Sequence, residues 1–167
     1  MPIIDYNGVG QWSATGIAAR YREYAERFEG RMATDLTPKT YSKGDTTWVY
    51  PVMEKVIAGI ASGDPACVEI GIDFISESAS FPFGMTLKTY TARELRRAAL
   101  TESQCERIRR RIVSMLVEGY VPKEYREYAK LLRKVGLGSL GAELGRADKQ
   151  NPHVAKYLRY FAESAGA

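Results

Sequence analysis

The residues best placed to do chemistry together are three acids on one predicted helix. Glu69, Asp73 and Glu77 recur every four residues and therefore share a helix face. Like charges at this spacing destabilise a helix by about 0.2–0.5 kcal/mol per pair, so the stripe favours a nearby cation. The cation could be an arginine from the basic half of the chain, a basic partner protein, or a divalent metal. Metal is the least favoured, because one helix face offers no convergent set of ligands.

Other signals for catalysis are weak. The single histidine, His153, falls in the first turn of a predicted helix, where a surface role is the default. The sequence shows no Cys–His pair, no metal-ligand spacing and no serine elbow. Glu69 and Asp73 are the one carboxylate pair that could serve general acid–base catalysis. We therefore expect no enzyme, with no catalytic residue, no metal site and no cofactor.

Basic side chains form a second candidate site, one that could contact phosphates. They lie as two stripes on predicted helices near residues 102–118 and 122–135: Arg107, Arg110 and Arg111 on the first, Arg126, Lys130 and Arg133 on the second. Adjacent basic stripes can follow a nucleic-acid backbone, with strongly salt-dependent affinity. Six acids accompany the twelve bases between Arg93 and Lys134, so a solvated face paired with its own acids is favoured over a binding surface.

Two loops complete the candidates. The segment SFPFG at 80–84 places Phe81 and Phe83 on either side of a proline, and the rings could either fill the core or protrude as a contact anchor. Filling the core is the commoner outcome. The segment GLGSLG at 136–141 has dinucleotide-loop glycine spacing, but a basic helix precedes it where a strand is required. We expect it to connect two helices.

The bulk composition fits one domain of 167 residues. No apolar run approaches the roughly 18 residues that a membrane span needs, and the first twenty residues lack the pattern of a signal peptide. We therefore expect a cytoplasmic protein with no membrane contact. Cys67 and Cys105 are expected as free thiols among apolar residues. Charge is uneven, with a net −3 over residues 1–90 and +7 over 91–167.

The elements that must position these candidates are helical nearly throughout. We expect a first helix over 14–29 ended by Gly30, then a polar loop over 34–47, and no hairpin of strands. The turn SGDP at 62–65 ends a helix that begins at Trp48 or Pro51. It starts a central helix that is apolar on most sides.

Further helix starts are predicted from capping boxes and prolines. They are Thr91 with Glu94, Thr101 with Gln104, Pro122, and Asn151 with Pro152. The pentamer YREYA occurs at 21–25 and 125–129, but its flanks do not align. We interpret it as two amphipathic helices with the same packing pattern. The count is seven or eight helices, with an N-terminal helix and loop over 1–47 and a core of helical hairpins over 48–165.

Two segments share a polar cap, a proline, an early valine and apolar residues at helical spacing: GDPACVEIGIDFI at 63–75 and QNPHVAKYLRYF at 150–161. Together with VPKEYREYAKLLRKVG, this pattern resembles small bacterial HEAT-like helical-repeat proteins over about residues 50–165. The resemblance implies an all-α fold, an irregular stack of antiparallel hairpins. Such proteins often lack a known activity, and some look like inhibitors or immunity partners of toxins.

These observations favour a non-catalytic macromolecule-binding module whose partner is a protein. The candidate contacts are the acidic stripe, the basic stripes and the two phenylalanines. The alternative is a nucleic-acid-binding protein that uses the two basic stripes.

Overall fold

The computed structural model describes residues 1–28, 34–77 and 81–165. It divides the chain into two compact units, Met1–Ala99 and Leu100–Ala167. Helices dominate the described residues, as predicted, and a small sheet accompanies them. The predicted end of the first helix at Glu29 and Gly30, and the start of the SFPFG loop at Ser80, lie outside the described residues. The prediction of a single domain stays a prediction.

The first unit combines a three-stranded sheet with four α-helices. Its elements are β1 (Ile3–Asp5), a 3-10 helix (Gly10–Trp12), α1 (Ala14–Arg27), β2 (Thr40–Lys43), β3 (Thr46–Val49), α2 (Met53–Ala61), α3 (Pro65–Ser76) and α4 (Gly84–Arg97). In the sheet β3 lies in the middle, parallel to β1 and antiparallel to β2. The second unit contains α5 (Glu102–Val117), α6 (Tyr125–Val135), a 3-10 helix (Gly138–Arg146) and α7 (Pro152–Ala165).

The β2–β3 hairpin corrects two predictions. Residues 34–47 were expected as a loop without strands, yet most of the hairpin lies there, and Trp48 belongs to β3 rather than to a helix. Gly44 takes φ +59° in a two-residue turn with Asp45, the positive φ that such a hairpin turn requires. All four β2 residues are exposed, so the strand is composed of polar residues and shows no alternation of apolar residues from which it could be predicted.

The SGDP turn and the central position of α3 are confirmed. Gly63 has φ +85°, and the fully buried Asp64 carboxylate caps α3 by accepting a hydrogen bond from the Ala66 N–H at 3.0 Å. Helix α3 packs against α1, α2 and α4, and eight of its twelve residues are buried. The core of the first unit is therefore built around this helix.

Helix starts were predicted with mixed success. The capping box of Thr101 and Gln104 is present, and Asn151 caps α7 through its side chain. The box at Thr91 is wrong, because α4 begins at Gly84 and the Thr91 hydroxyl instead donates to the Leu87 carbonyl inside the helix. Helix α6 begins at Tyr125 rather than at Pro122. The GLGSLG segment leads into the 3-10 helix of the second unit.

Candidate functional site

One face of the sheet carries most of its large side chains. Side chains alternate between the two faces of a strand, and the register sets Ile4, Trp48 and Tyr41 side by side across the three strands. The next row holds Tyr6 and Tyr50. We call these five residues the aromatic face. The same alternation places Lys39 and Lys43 on this side of β2, so two cations flank Tyr41 at the sheet edge.

Ring contacts form two clusters on the aromatic face, and strand pairing sets the two clusters side by side. The Tyr41 and Trp48 ring centroids are 5.7 Å apart, and those of Tyr6 and Tyr50 are 6.4 Å apart. The Phe83 ring meets Tyr6 edge-on at 5.1 Å and extends the patch beyond the strands. The Lys39 Nζ lies 5.7 Å from the Tyr50 ring, within cation–π distance.

Much of this apolar surface is open to solvent. Tyr41 is 52% exposed, Phe83 58% and Ile4 40%, while Tyr6, Trp48 and Tyr50 are half-buried. Single exposed apolar side chains are ordinary on a protein surface, but contiguous ones mark sites of contact. The patch therefore has the form of a binding surface.

The two phenylalanines of the SFPFG loop take both of the roles considered. Phe81 is half-buried and packs against core rings, with its ring centroid 5.0 Å from Phe74 and 5.8 Å from Trp12. Phe83 points outward from a backbone with φ +57°, a region that bulky residues rarely adopt. Such strain costs about 1–3 kcal/mol and concentrates at functional sites. It supports a contact role for Phe83.

The acidic stripe is paired within the first unit. The Arg20 Nη1 lies 3.1 Å from Asp73 Oδ2 and 3.5 Å from Glu77 Oε1, and the Tyr24 hydroxyl donates to Asp73 at 2.5 Å. The Arg20 guanidinium also stacks on Trp12 at 4.3 Å, and the Trp12 indole N–H donates to Glu77. For Asp73 and Glu77 the cation is therefore an internal arginine from α1, whereas the internal alternative considered above was an arginine from the basic half of the chain.

Glu69 is half-buried on α3. Within the described ranges, no group of three or more His, Cys, Asp or Glu side chains could hold a metal ion. Asp73 and Glu77 of the stripe belong to an internal ion-pair network with Arg20.

Acids on the same helices interrupt the basic stripes. Arg110 pairs with Glu106 at 3.0 Å, and Lys130 pairs with Glu127 at 3.1 Å. Arg133 lies over the Tyr160 ring at 4.6 Å, and Arg126 is exposed. Arg107 and Arg111 are half-buried on α5. The six side chains thus fall within one unit, but they do not form a continuous unpaired cationic surface.

Two residues organise buried polar contacts that sequence reasoning missed: Arg109 was given no role, and Asp64 only that of a helix cap. Arg109 is 8% exposed and donates to the Val135 and Gly136 carbonyls at 2.6 and 2.8 Å, so it closes the C-terminal end of α6. The sequence did contain a signal for the burial of Arg109, because this residue lies on the apolar face of α5, beside Ile112. Asp64 accepts from the Tyr21 and Thr34 hydroxyls, each at 2.6 Å, in addition to capping α3.

The Cys67 thiol lies within the core beside this Asp64 network. Burial raises its pKa to about 12, because the thiolate would lose its hydration. The Asp64 charge acts in the same direction, while a contact to Thr34 opposes it. A thiol held protonated in this way is chemically inert at neutral pH.

Comparison with protein-family models, with curated proteins and with solved structures finds no match for this chain. Among the described helices, none combines the length and the apolar character needed to cross a membrane. The functional proposal therefore rests on the geometry of the chain's own residues.

Proposed function

We propose that this chain is a non-catalytic protein-binding module whose contact surface is the aromatic face together with Phe83. The observation that carries the proposal is the exposure of Tyr41 and Ile4 on the aromatic face and of Phe83, whose ring contacts Tyr6 on that face. Aromatic side chains are enriched in the centres of protein interfaces, whereas most charged residues are depleted there. They also supply large contact area at a small cost in side-chain entropy.

The other candidate surfaces are less suited to this role. Asp73 and Glu77 already bind Arg20, so a basic partner would have to displace an internal cation. Breaking a partly buried pair leaves a desolvated charge, which is costly. Within the described residues, the exposed rings of Tyr41 and Phe83 contact only other rings, so a partner could cover them without displacing a charge, and burying them would gain hydrophobic free energy.

A nucleic-acid-binding function is the second candidate. Residues 100–167 contain thirteen Lys and Arg against eight Asp and Glu, a net charge of +5. Arg126 is exposed there and Arg133 stacks on Tyr160, so one cation and one aromatic–cation pair are available to a phosphate or a base. Anisotropy with labelled DNA and RNA at about 50 and 200 mM salt tests this candidate, since phosphate contacts lose affinity steeply over that range.

The HEAT-like classification, a cytoplasmic location and the lack of catalysis belong to the same proposal. The packing of α3 between neighbouring helices supports a helical-hairpin core, while the sheet adds an element that the resemblance does not include.

Site-specific photo-cross-linking tests the protein-binding function. A benzophenone amino acid replaces Tyr41 in one variant, Phe83 in a second and Tyr120 in a third. Tyr120 is the matched control, because it is 46% exposed but lies in the second unit. Each variant is irradiated in nuclease-treated lysate of the source organism, and the adducts are analysed by mass spectrometry.

We expect the same protein adduct from positions 41 and 83 and not from position 120. The adduct should disappear when Trp48→Ala is introduced into either variant, provided that circular dichroism shows an intact fold. Equal adducts from all three positions, or none from 41 and 83, would contradict the proposal.

A further inference from the structure

The edge of β2 that pairs with no strand in the described part of the chain can extend the proposed function, on which the inference rests. Strand β2 lies at the edge of the sheet, and all four of its residues are exposed. An exposed edge strand offers unpaired backbone groups to a strand from another chain. The chemistry of this edge indicates what kind of strand would bind.

The register identifies the backbone groups that face outward. The Tyr50 N–H donates to the Lys39 carbonyl at 2.8 Å, and Tyr41 pairs with Trp48 two residues further on. Hydrogen-bonded pairs alternate along an antiparallel ladder, so Lys39 and Tyr41 direct their backbone groups at β3. Thr40 and Ser42 therefore direct their N–H and C=O groups away from the sheet.

The side chains beside this edge set the charge of a complementary strand. Lys39, Tyr41 and Lys43 alternate with Thr40 and Ser42, so cation, ring and cation line the same side as the aromatic face. No acid occupies any position on this side of the three strands. A strand added at β2 would place its own side chains next to these three. Opposite charges in neighbouring strands stabilise the pairing, and like charges oppose it.

We propose that β2 binds an extended acidic segment of a partner protein by strand addition. The segment alternates so that an acid, an apolar residue and an acid lie beside Lys39, Tyr41 and Lys43. Its backbone pairs with Thr40 and Ser42, and its central apolar side chain packs against Tyr41 on the aromatic face. Main-chain hydrogen bonds supply affinity in this mode, and the side-chain positions supply specificity.

The same charges disfavour the other occupants of the edge. Two copies of this chain paired antiparallel through β2 would bring the lysines of both copies together, which is a recognised protection against self-association. Single-stranded nucleic acid could place bases on the rings. Residues 1–99, however, carry eleven Lys and Arg against twelve Asp and Glu, and so provide no general attraction for a polyanion.

Fluorescence anisotropy with three labelled peptides and the full chain tests the inference. The first peptide, Ser-Glu-Thr-Val-Thr-Glu-Ser, has the expected alternation. The second replaces both glutamates by lysine, and the third replaces both threonines by proline, which removes backbone donors and leaves the charges unchanged. The variants are Lys39→Glu with Lys43→Glu, Lys39→Gln with Lys43→Gln, and the control Lys123→Glu with Lys149→Glu at exposed positions of the second unit.

We expect the first peptide to bind the native chain and the control variant equally, and to lose affinity as salt increases. The Lys39→Glu, Lys43→Glu variant should bind it about tenfold or more weakly, with the glutamine variant in between, and should prefer the lysine peptide. The proline peptide should bind the native chain about tenfold more weakly than the first.

Several results would overturn the inference: no binding of the first peptide, equal binding of the proline peptide, or unchanged affinity in the charge-reversed variant. Binding of a ten-nucleotide oligothymidine that depends on Lys39 and Lys43 would also overturn it and would assign the edge to nucleic acid. These failures are distinct from failure of the proposed function. Protein adducts from positions 41 and 83 would still show a protein contact of a different kind.

Discussion

At the scale of single residues, the two tyrosines of the second YREYA pentamer differ in one hydrogen bond. Tyr125 and Tyr128 are both buried in the second unit, with 0% and 1% of their surface exposed. The Tyr125 hydroxyl donates to the Ile112 carbonyl at 2.9 Å. The Tyr128 hydroxyl has no hydrogen-bond partner in the described part of the chain. Burial of both rings therefore does not satisfy both hydroxyl groups.

This difference predicts opposite outcomes for the same substitution. Tyr125→Phe removes a buried hydrogen bond and should lower the free energy of unfolding by about 1 kcal/mol. Tyr128→Phe removes a desolvated hydroxyl and should leave stability unchanged or raise it by up to about 1 kcal/mol. Urea unfolding of both variants measures the two effects. Equal destabilisation by Tyr128→Phe would mean that its hydroxyl is satisfied in solution.

Predictability from sequence also differs residue by residue. Asp64 and Pro65 predict a helix start from the sequence alone. Capping is a local interaction, so the residues that determine it lie within about four positions of one another. Arg20 could not be matched to Asp73, because the pair joins residues 53 positions apart and other arginines were equally plausible. Phe81 and Phe83 have the same type and nearly the same neighbours, so their opposite orientations depend on the three-dimensional packing of Trp12 and Tyr6.

At the scale of elements, α3 packs closely against α2 at two positions where a glycine has no side chain. A Cβ at Gly59 on α2 would clash with the Cys67 Sγ on α3 and would lie only 3.0 Å from the Cys67 Cβ. A Cβ at Gly71 on α3 would lie 2.6 Å from the Ile60 Cδ1. Close helix packing in the first unit therefore depends on these two glycines.

Gly59→Ala should destabilise the protein by about 1–3 kcal/mol, because overpacking outweighs the better helix propensity of alanine. Gly145→Ala is the matched control, since a Cβ there meets nothing within 4 Å, and it should be neutral. Thermal unfolding compares the two variants.

A second substitution tests the cause of the Gly59 effect. Cys67→Ala makes room for the new methyl group, so the double variant should recover part of the stability lost in Gly59→Ala. Additive losses in Gly59→Ala and Cys67→Ala would contradict the contact.

Helices were easier to anticipate than strands, and the reason is physical. The apolar residues of α1 and α5 recur every three or four positions because one side of each helix is buried. Strands β1 and β2 are exposed along their whole length, so no buried face imposes alternation. The aromatic face was missed for a related reason: it combines residues near 4, 41 and 48, and only the pairing of the strands brings them together.

At the scale of the whole molecule, buried neutral acids couple stability to alkaline pH. Burial raises the pKa of Cys67 to about 12, and it is also the leading cause of the raised pKa values of Tyr21, Tyr125 and Tyr128. A group whose pKa is raised on folding stabilises the native state fully below its unfolded pKa. That contribution declines as the pH rises through the native pKa, since the unfolded chain releases the proton first.

The contribution of these groups to stability should therefore be constant near neutral pH and should fall around pH 9, where an unfolded thiol is half ionised, and on towards pH 12. The Cys67 contribution declines by at most about 1.4 kcal/mol per pH unit, and the tyrosines add to the loss above about pH 10. Urea unfolding at pH 7, 9 and 11 measures this slope. Cys67→Ala should reduce the slope between pH 9 and 11. The native Cys67 should also resist iodoacetamide at pH 9 until urea is added, and rapid alkylation in the folded protein would contradict this account of its burial.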